Sequence, residues 1–337
     1  MLPVGYFPCT QDPPDGKNIA TVIEEVFEQA ELCEQVGFDG FYFTEHHQQD
    51  DGYLPSPVLM AGMVGMRTQR IKVGTCVLLA PLYHPIRLAE DIAVIDQATR
   101  GRMVAALGIG YQPHDFDAFG VPVKQRARRT EECVEILRQA WRGESFSYPS
   151  RYHTIEDVRV TPPSYQDGGP PIWLAGWVPA GLERAGRMGD GWIADPIQSL
   201  SVIKNYAEQY RAEAKKHGRK PFIVLMRDCV IGENWDACVT KSEPTMVTHQ
   251  WYYHYGAYVM DEHIKDIKDP KDLSFDIAAK ERLIAGSPEQ CLEQLTMWKE
   301  EVQPDYLLLR MRQPGGPPQA EALADIRMFG EHVIPNL

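Results

Sequence analysis

The sequence has little positive charge for its length. In 337 residues, 34 Lys and Arg are outnumbered by 47 Asp and Glu, which gives a formal net charge of −13. Nucleic acids and anionic membrane surfaces are bound through clustered cations. The densest cationic cluster, Lys124 to Arg129, begins a helical pattern and does not offset the acidic excess. We therefore expect no nucleic-acid partner and no membrane attachment.

Long apolar runs, paired cysteines and a dinucleotide fingerprint are also missing. No apolar run is long enough to span a bilayer, and the N-terminus does not have a signal-peptide layout. The seven cysteines are scattered without a CxxC pair, which argues against a disulfide framework or a zinc cluster and favours the cytoplasm. There is no Gly-x-Gly-x-x-Gly motif.

A regular alternation of strand and helix patterns is present instead. The segments Phe41 to Thr44, Ile71 to Leu79 and Met103 to Gly110 have strand character, and each is followed by a helix-length amphipathic segment. Continuing to the last strand, Tyr306 to Arg310, gives eight strands and about eight helices. We predict one (β/α)8 TIM-barrel domain over 1–337. Its C-terminal face should carry an inserted hairpin at about 144–162 and a lid-like insertion at about 232–280.

Glu45, His46 and His47 follow the second predicted strand, at the end where a barrel presents its chemistry. Adjacent strand residues point to opposite faces, so both histidines cannot enter one coordination shell without a kink. No further His or Cys pair completes a zinc-like set, and we expect no metal. A proton-transfer site and a packed structural histidine both remain open.

Two glycine-containing strand ends are candidate cofactor contacts. Gly176, Trp177 and Val178 end a strand and begin a helix, so free N–H groups and the helix dipole should converge on an anion such as a cofactor phosphate. Gly108, Gly110 and Tyr111 lie at the end of the fourth predicted strand. They either contact a cofactor or only allow a tight turn.

Substrate contacts are expected on the same face. An aromatic run from Trp251 to Tyr258 lies in the long insertion, and Trp251 and Tyr255 are candidates for the wall of an apolar pocket. His47 is a further pocket candidate. Arg310, at the end of the eighth strand, either holds an anionic substrate or pairs with a nearby acid.

The segment from Val58 to Met66 is apolar nearly all round. A helix without a polar face must be covered on two sides. We therefore expect a subunit interface there, or a cover supplied by the chain's own insertions.

A dense series of short motifs runs from Gly37 to Gly120: Glu45-His46-His47, Val73-Gly74-Thr75, Pro81, His84-Pro85, Arg87, Ala89-Glu90-Asp91, Asp96-Gln97, Gly101-Arg102 and Phe119-Gly120. A weaker series follows in Pro171–Trp173, Gly189–Trp192 and the last strand and helix, and it is interrupted between about Gly232 and Ala279. In these motifs, taken in this order, the chain resembles the bacterial luciferase-like flavin monooxygenases.

This resemblance implies a two-component enzyme. A separate flavin reductase would supply reduced FMN, and O2 would oxygenate a small organic substrate through a C4a-(hydro)peroxyflavin. The absence of a dinucleotide fingerprint suits an enzyme that receives its electrons on flavin. The resemblance also implies a homodimer formed through the 58–66 helix.

The resemblance assigns roles to individual residues as well. His46 matches the general base beside the flavin, and Glu45 would position His46 or the flavin. Thr75, Cys76 and Val77 match a strand end with a cis peptide at Cys76–Val77 against the isoalloxazine ring. One departure is that Ile109 stands where bacterial luciferase has an arginine for the flavin phosphate; Arg126 or Arg129 could replace it, or could lie on a solvated helix face.

Two alternatives accompany this interpretation. A relative could use a 5-deazaflavin coenzyme for hydride transfer, which needs extra cations at the rim for its longer polar tail. A non-catalytic flavin-binding protein is the other alternative, although such relatives tend to lose barrel strands and the catalytic histidine. Substrate identity depends on the 232–279 insertion, where the resemblance is least.

Overall fold

Strands and helices alternate along the chain, as the hydrophobic pattern predicts. The computed structural model describes every residue from Met1 to Leu337. Its twelve strands are β1 Val4–Tyr6, β2 Gly40–Phe43, β3 Lys72–Thr75, β4 Leu78–Leu79, β5 Met103–Gly108, β6 Phe146–Tyr148, β7 Ile155–Val158, β8 Ile172–Ala175, β9 Gly191–Ala194, β10 Ile223–Ile231, β11 Ile284–Gly286 and β12 Tyr306–Arg310.

Twelve α-helices surround and connect these strands. In chain order they are α1 Ile19–Gln35, α2 Pro57–Arg67, α3 Pro85–Thr99, α4 Pro113–Asp117, α5 Arg126–Ala140, α6 Pro179–Met188, α7 Leu200–Lys216, α8 Trp235–Lys241, α9 Glu243–His254, α10 Phe275–Ala279, α11 Pro288–Val302 and α12 Gln319–His332.

Eight of the strands close into a parallel barrel. Their order is β1, β2, β3, β5, β8, β9, β10 and β12, and β12 pairs with β1 through Val4 and Leu307 to complete the ring. The predicted (β/α)8 fold is confirmed. In such a barrel the C-terminal strand ends share one face, so the residues that follow the strands lie near one another.

The barrel interior is filled by large side chains. Tyr42 of β2 contacts Trp173 and Tyr306, and its hydroxyl donates to the Tyr306 hydroxyl at 3.1 Å. Gly74 of β3 leaves no room for a side chain, because an added Cβ would lie 2.2 Å from the Val104 carbonyl oxygen. Bulky rings and this close backbone approach together make the interior a packed core.

The third predicted strand, Ile71 to Leu79, is interrupted in the structure. β3 ends at Thr75 and β4 begins at Leu78. The Cys76–Val77 peptide between them is cis, as the resemblance implies. The interruption places these two residues at the barrel face, beside the ends of β2 and β5.

The long insertion forms a layer over one side of that face. α8, α9 and α10 belong to it, and β11, which the sequence pattern did not predict, pairs with the C-terminal half of β10. A separate cluster of twelve buried apolar residues, including Met246, Tyr258 and Phe275, fills the space beneath these helices. The other insertion is an antiparallel hairpin of β6 and β7.

A capping box begins α11, because the Ser287 side chain accepts from the Gln290 backbone N–H and the Gln290 side chain accepts from the Ser287 backbone N–H.

Helix α2 exposes Leu59, Met63 and Met66 by 63%, 38% and 65%. The chain's own insertions therefore do not cover this apolar face. None of the helices combines the length and apolar character that crossing a membrane requires.

Candidate functional site

A cavity of about 310 Å³ lies at the C-terminal ends of the barrel strands. That size falls within the usual range for small-molecule sites. Predicted residues that do not line it are Thr75, His47, Trp251 and Tyr255. Predicted residues that line it are Glu45, His46, Cys76, Val77, Gly108, Gly110, Tyr111, Gly176, Trp177, Val178 and Arg310.

His46 presents one ring nitrogen to this cavity. Its Nδ1 lies 3.3 Å from Oδ2 of Asp115, a fully buried residue of the short helix α4, whereas Nε2 has no partner in the protein. Burial raises the pKa of Asp115, but the hydrogen bonds from His46 and from the His47 backbone outweigh it and leave that pKa lowered. The ionised carboxylate can only accept, so Nδ1 donates to it and Nε2 is left without a partner in the protein.

Aromatic rings fix the orientation of His46. Tyr53 and Tyr111 meet it edge to face, with ring centroids 5.1 and 5.7 Å away. The Tyr53 hydroxyl is hydrogen-bonded to Thr44, which keeps that ring in place. Three contacts therefore hold the imidazole with Nε2 directed to the cavity.

Glu45 and His47 form a separate buried pair. Oε1 of Glu45 lies 2.7 Å from Nε2 of His47 and accepts from the Tyr83 hydroxyl at 3.0 Å, and Oε2 accepts from the Leu79 backbone. His47 also packs on Phe119. Glu45 thus ties the end of β2 to β4 and holds His47, while Asp115 is the acid that holds His46. The two histidines point to different surroundings, as strand alternation predicts.

The wall formed by Cys76 and Val77 is apolar. Burial raises the pKa of the Cys76 thiol to about 12, so the thiol stays protonated and unreactive at neutral pH. Thr75 does not reach the cavity: its hydroxyl donates to the Ala106 carbonyl at 2.7 Å and accepts from the Ala106 N–H at 3.0 Å. Thr75 therefore bridges β3 and β5 behind the wall.

The N-terminus of α6 forms another part of the cavity. The N–H groups of Trp177 and Val178 have no acceptor in the protein, and Pro179, at the first helical position, has no N–H. Gly176 and Gly181 approach so closely that a Cβ on Gly181 would lie 2.9 Å from the Gly176 Cα. Free N–H groups at a helix N-terminus form a site for an anion.

Arg310 is already paired with an acid. Its Nε and Nη2 donate to the two carboxylate oxygens of Asp228 at 2.7 and 2.8 Å, and Asp228 also lies 2.7 Å from Nε2 of His249. Burial opposes ionisation of Asp228, but the Arg310 charge and the bonds to His249 and Arg310 hold the pKa of Asp228 well below its usual range. Of the two roles considered for Arg310, the structure shows the ion pair.

Asp195 is a second acid in the cavity wall. It follows β9 directly and is 7% exposed. Oδ1 accepts from the backbones of Ile197 and Gln198, whereas Oδ2 has no partner. Burial raises the pKa of Asp195 despite these hydrogen bonds.

Comparison with known proteins identifies the family. The model of luciferase-like monooxygenases matches residues 2–302. This chain belongs to the luciferase-like monooxygenase family. An uncharacterized protein, y4vJ of Sinorhizobium fredii, is 28% identical over 331 residues, which are 95% of this chain and 93% of that protein. The alkanal monooxygenase alpha chain of Photorhabdus laumondii is 26% identical over 214 residues, 64% of this chain and 59% of the relative.

Solved structures with different cofactors share the fold. Monooxygenase RslO1 from Streptomyces bottropensis has a TM-score of 0.85 at 24% identity, with 99% of both chains covered. The oxygenating constituent of 3,6-diketocamphane monooxygenase from Pseudomonas putida, in complex with FMN, gives 0.83 at 18%, covering 100% of this chain and 99% of that one. The coenzyme F420 dependent tetrahydromethanopterin reductase from Methanopyrus kandleri gives 0.78 at 17%, with 99% of both covered.

Several residues in or beside the cavity of this family member were not predicted from sequence. Asp115 of α4 and Tyr53 of the loop after β2 contact His46, and Tyr252 supplies the α9 contact expected from Trp251 and Tyr255. Asp195 had a usable signal, because it is an acid placed immediately after a barrel strand, as Glu45 is. The position of Asp115 in a five-residue helix gave no comparable signal.

Proposed function

We propose that this chain is a two-component flavin monooxygenase that uses reduced FMN and O2 to oxygenate a small organic substrate. The observation that carries the proposal is the free Nε2 of His46, which faces the cavity while Nδ1 is held by ionised Asp115. A proton acceptor oriented in this way is what acid–base catalysis beside a cofactor requires. A separate reductase would supply the reduced flavin.

The residues present fit FMN. The apolar wall at Cys76 and Val77 suits a flat ring, and the free N–H groups of Trp177 and Val178 suit a phosphate. Gly108, Gly110 and Tyr111 line the space beside the wall. These groups would hold the ring and the phosphate of one molecule.

The chemistry is divided between the cofactor and the chain. Reduced FMN, when bound, supplies the electrons that activate O2. His46 accepts or returns a proton at Nε2, and Asp115 stabilises the ring while it is charged. The apolar walls exclude water from the reacting centre.

The substrate we propose is small, uncharged and largely apolar. Arg310 is neutralised by Asp228, so it offers no free charge to an anionic substrate. The Phe7 and Tyr252 rings lie 5.5 and 6.0 Å from the Arg310 guanidinium carbon, and Met226 also lines the cavity. A charged substrate would have to lose its hydration against these side chains without a partner.

We also propose a cytoplasmic homodimer that pairs through α2. The exposed face of Leu59, Met63 and Met66 favours a second copy as its cover. Met63→Glu should shift the sedimentation coefficient to that of a monomer, whereas Val247→Glu, at another exposed apolar residue, should not. A dimer that survives Met63→Glu would place the interface elsewhere.

Rapid mixing with O2 tests the oxygenase. Protein loaded with reduced FMN under anaerobic conditions is mixed with oxygenated buffer, and flavin oxidation is followed by its absorbance. The bound flavin should be oxidised with a rate distinct from that of free reduced FMN, and His46→Asn should change that rate. Oxidation indistinguishable from free flavin in buffer would contradict the proposal. In that case hydride transfer with a 5-deazaflavin, as in relatives of this fold, becomes the function to test.

A further inference from the structure

Arg184 is a largely buried cation in the wall of the cavity. It is 8% exposed and lies on α6, three residues after Gly181, and both residues line the cavity. Residues three apart share a face of a helix, and long helical side chains lean toward the N-terminus. From this direction we expect the guanidinium to lie toward the start of α6, where the Val178 N–H is free.

The hydrogen bonds of Arg184 within the protein are incomplete. Nε donates to Oε1 of Glu131 at 3.1 Å, and the terminal nitrogens make no hydrogen bond to the protein. These terminal nitrogens are not sealed from solvent. Because the residue lines the cavity, the terminal N–H groups are available to a molecule bound there. A guanidinium has five donors, so one bond leaves most of its capacity unused.

The charge at this end of the cavity is unbalanced. Oε1 of Glu131 lies 3.1 Å from Nε of Arg184 and 3.0 Å from Nη2 of Arg187. The two arginines and the glutamate together carry one positive charge in excess. Arg126 also lines the cavity and pairs with no acid. Ile109 also lines the cavity and carries no charge. Arg184, Arg187, Arg126 and Glu131 together carry two positive charges in excess, which matches a phosphate monoester with roughly −1.5 to −2 at neutral pH.

Resting on the proposed function, we infer that Arg184, held in place by Glu131, is the principal cationic contact of the FMN phosphate and makes the chain select FMN over riboflavin. The helix N-terminus supplies N–H donors, and Arg184 supplies the charge and a planar pair of donors. Arg126 contributes charge from the start of α5 without a fixed partner. Selection by the phosphate suits a protein that receives its flavin from solution, where both forms occur.

The test compares affinities for reduced FMN and reduced riboflavin by anaerobic titration calorimetry. The wild type should prefer FMN, and Arg184→Met should reduce that preference by roughly 10- to 100-fold, the range for a hydrogen bond to a charged group. Riboflavin affinity should stay unchanged, which separates a lost phosphate contact from a damaged fold. Arg184→Lys, which keeps the charge, should retain part of the preference.

Arg187→Met is the matched control. Arg187 lies on the same helix and contacts the same carboxylate but does not line the cavity, so its loss should reduce the FMN preference much less than Arg184→Met does. The inference is overturned if Arg184→Met keeps the wild-type preference, if it weakens both flavins equally, or if Arg126→Met has the larger effect. A wild type that binds neither flavin would instead overturn the proposed function.

Discussion

The buried cluster of Asp228, Arg310 and His249 should be a major source of stability. Asp228 lies on β10 and Arg310 lies opposite it on β12, where the two residues pair in register. His249 belongs to α9 of the insertion, so one carboxylate joins two barrel strands and the layer above them. Replacing Asp228 by Asn removes the charge and leaves a buried arginine without its counter-ion.

The size of the effect follows from burial. Asp228 is 1% exposed. Removing one partner of a buried ion pair costs about 3–5 kcal/mol, whereas an exposed pair contributes at most about 1 kcal/mol. With an unfolding entropy of about 2.1 cal/mol/K per residue, 337 residues give roughly 0.7 kcal/mol/K, so the melting temperature should fall by roughly 4–7 °C.

Thermal and urea unfolding followed by circular dichroism measure this loss. Arg327→Met is the control, because Arg327 pairs with Glu331 on the surface of α12, with both side chains about half exposed. It should change the free energy of unfolding by less than about 1 kcal/mol. If Asp228→Asn cost no more than Arg327→Met, the argument from burial would be refuted.

Three further predictions concern pH, a helix cap and the proton acceptor. Because the pKa of Asp228 is lowered on folding, its contribution to stability should be complete above the ordinary Asp pKa of about 3.9 and should diminish as the pH falls toward the folded pKa. Urea titrations from neutral to acid pH measure this contribution as the difference in unfolding free energy between the wild type and Asp228→Asn. Loss of that difference already near pH 5 would contradict the prediction. Ser287→Ala should cost about 1 kcal/mol through loss of the α11 cap, whereas Thr296→Ala on the exposed face of the same helix should cost less. His46→Asn should leave the dissociation constant of reduced FMN nearly unchanged but alter its oxidation rate roughly 100-fold or more, and Asp115→Asn should act in the same direction with a smaller effect. Equal effects on affinity and rate in stopped-flow and binding experiments would argue for a structural role.

The barrel could be predicted because its signals are local. Each strand and helix leaves its own periodicity in the sequence, and Ser287 with Gln290 marks a helix start within four residues. The break in the third strand left no such mark. Ile71 to Leu79 has strand character throughout, and only the resemblance placed a cis peptide at Cys76–Val77.

The site was predicted in part because its residues follow strands, but their partners lie far away in sequence. Asp115 is 69 residues from His46, and Asp228 is 82 from Arg310. Pairing over such separations is decided by the packed fold and not by any local pattern. Glu45 was expected to position His46 or the flavin, and its carboxylate is hydrogen-bonded to His47 and not to His46.

Comparing the affinities for reduced FMN and for a reduced deazaflavin tests the proposed oxygenase most directly. Anaerobic titrations of one protein preparation with reduced FMN and with reduced coenzyme F420 would measure both dissociation constants under the same conditions. We expect reduced FMN to bind more tightly, because α6 offers a site for its phosphate, whereas Arg310 is neutralised by Asp228 and gives no cation to the longer polar tail of coenzyme F420. Tighter binding of coenzyme F420 would contradict the proposed oxygenase and identify hydride transfer as the chemistry of this cavity.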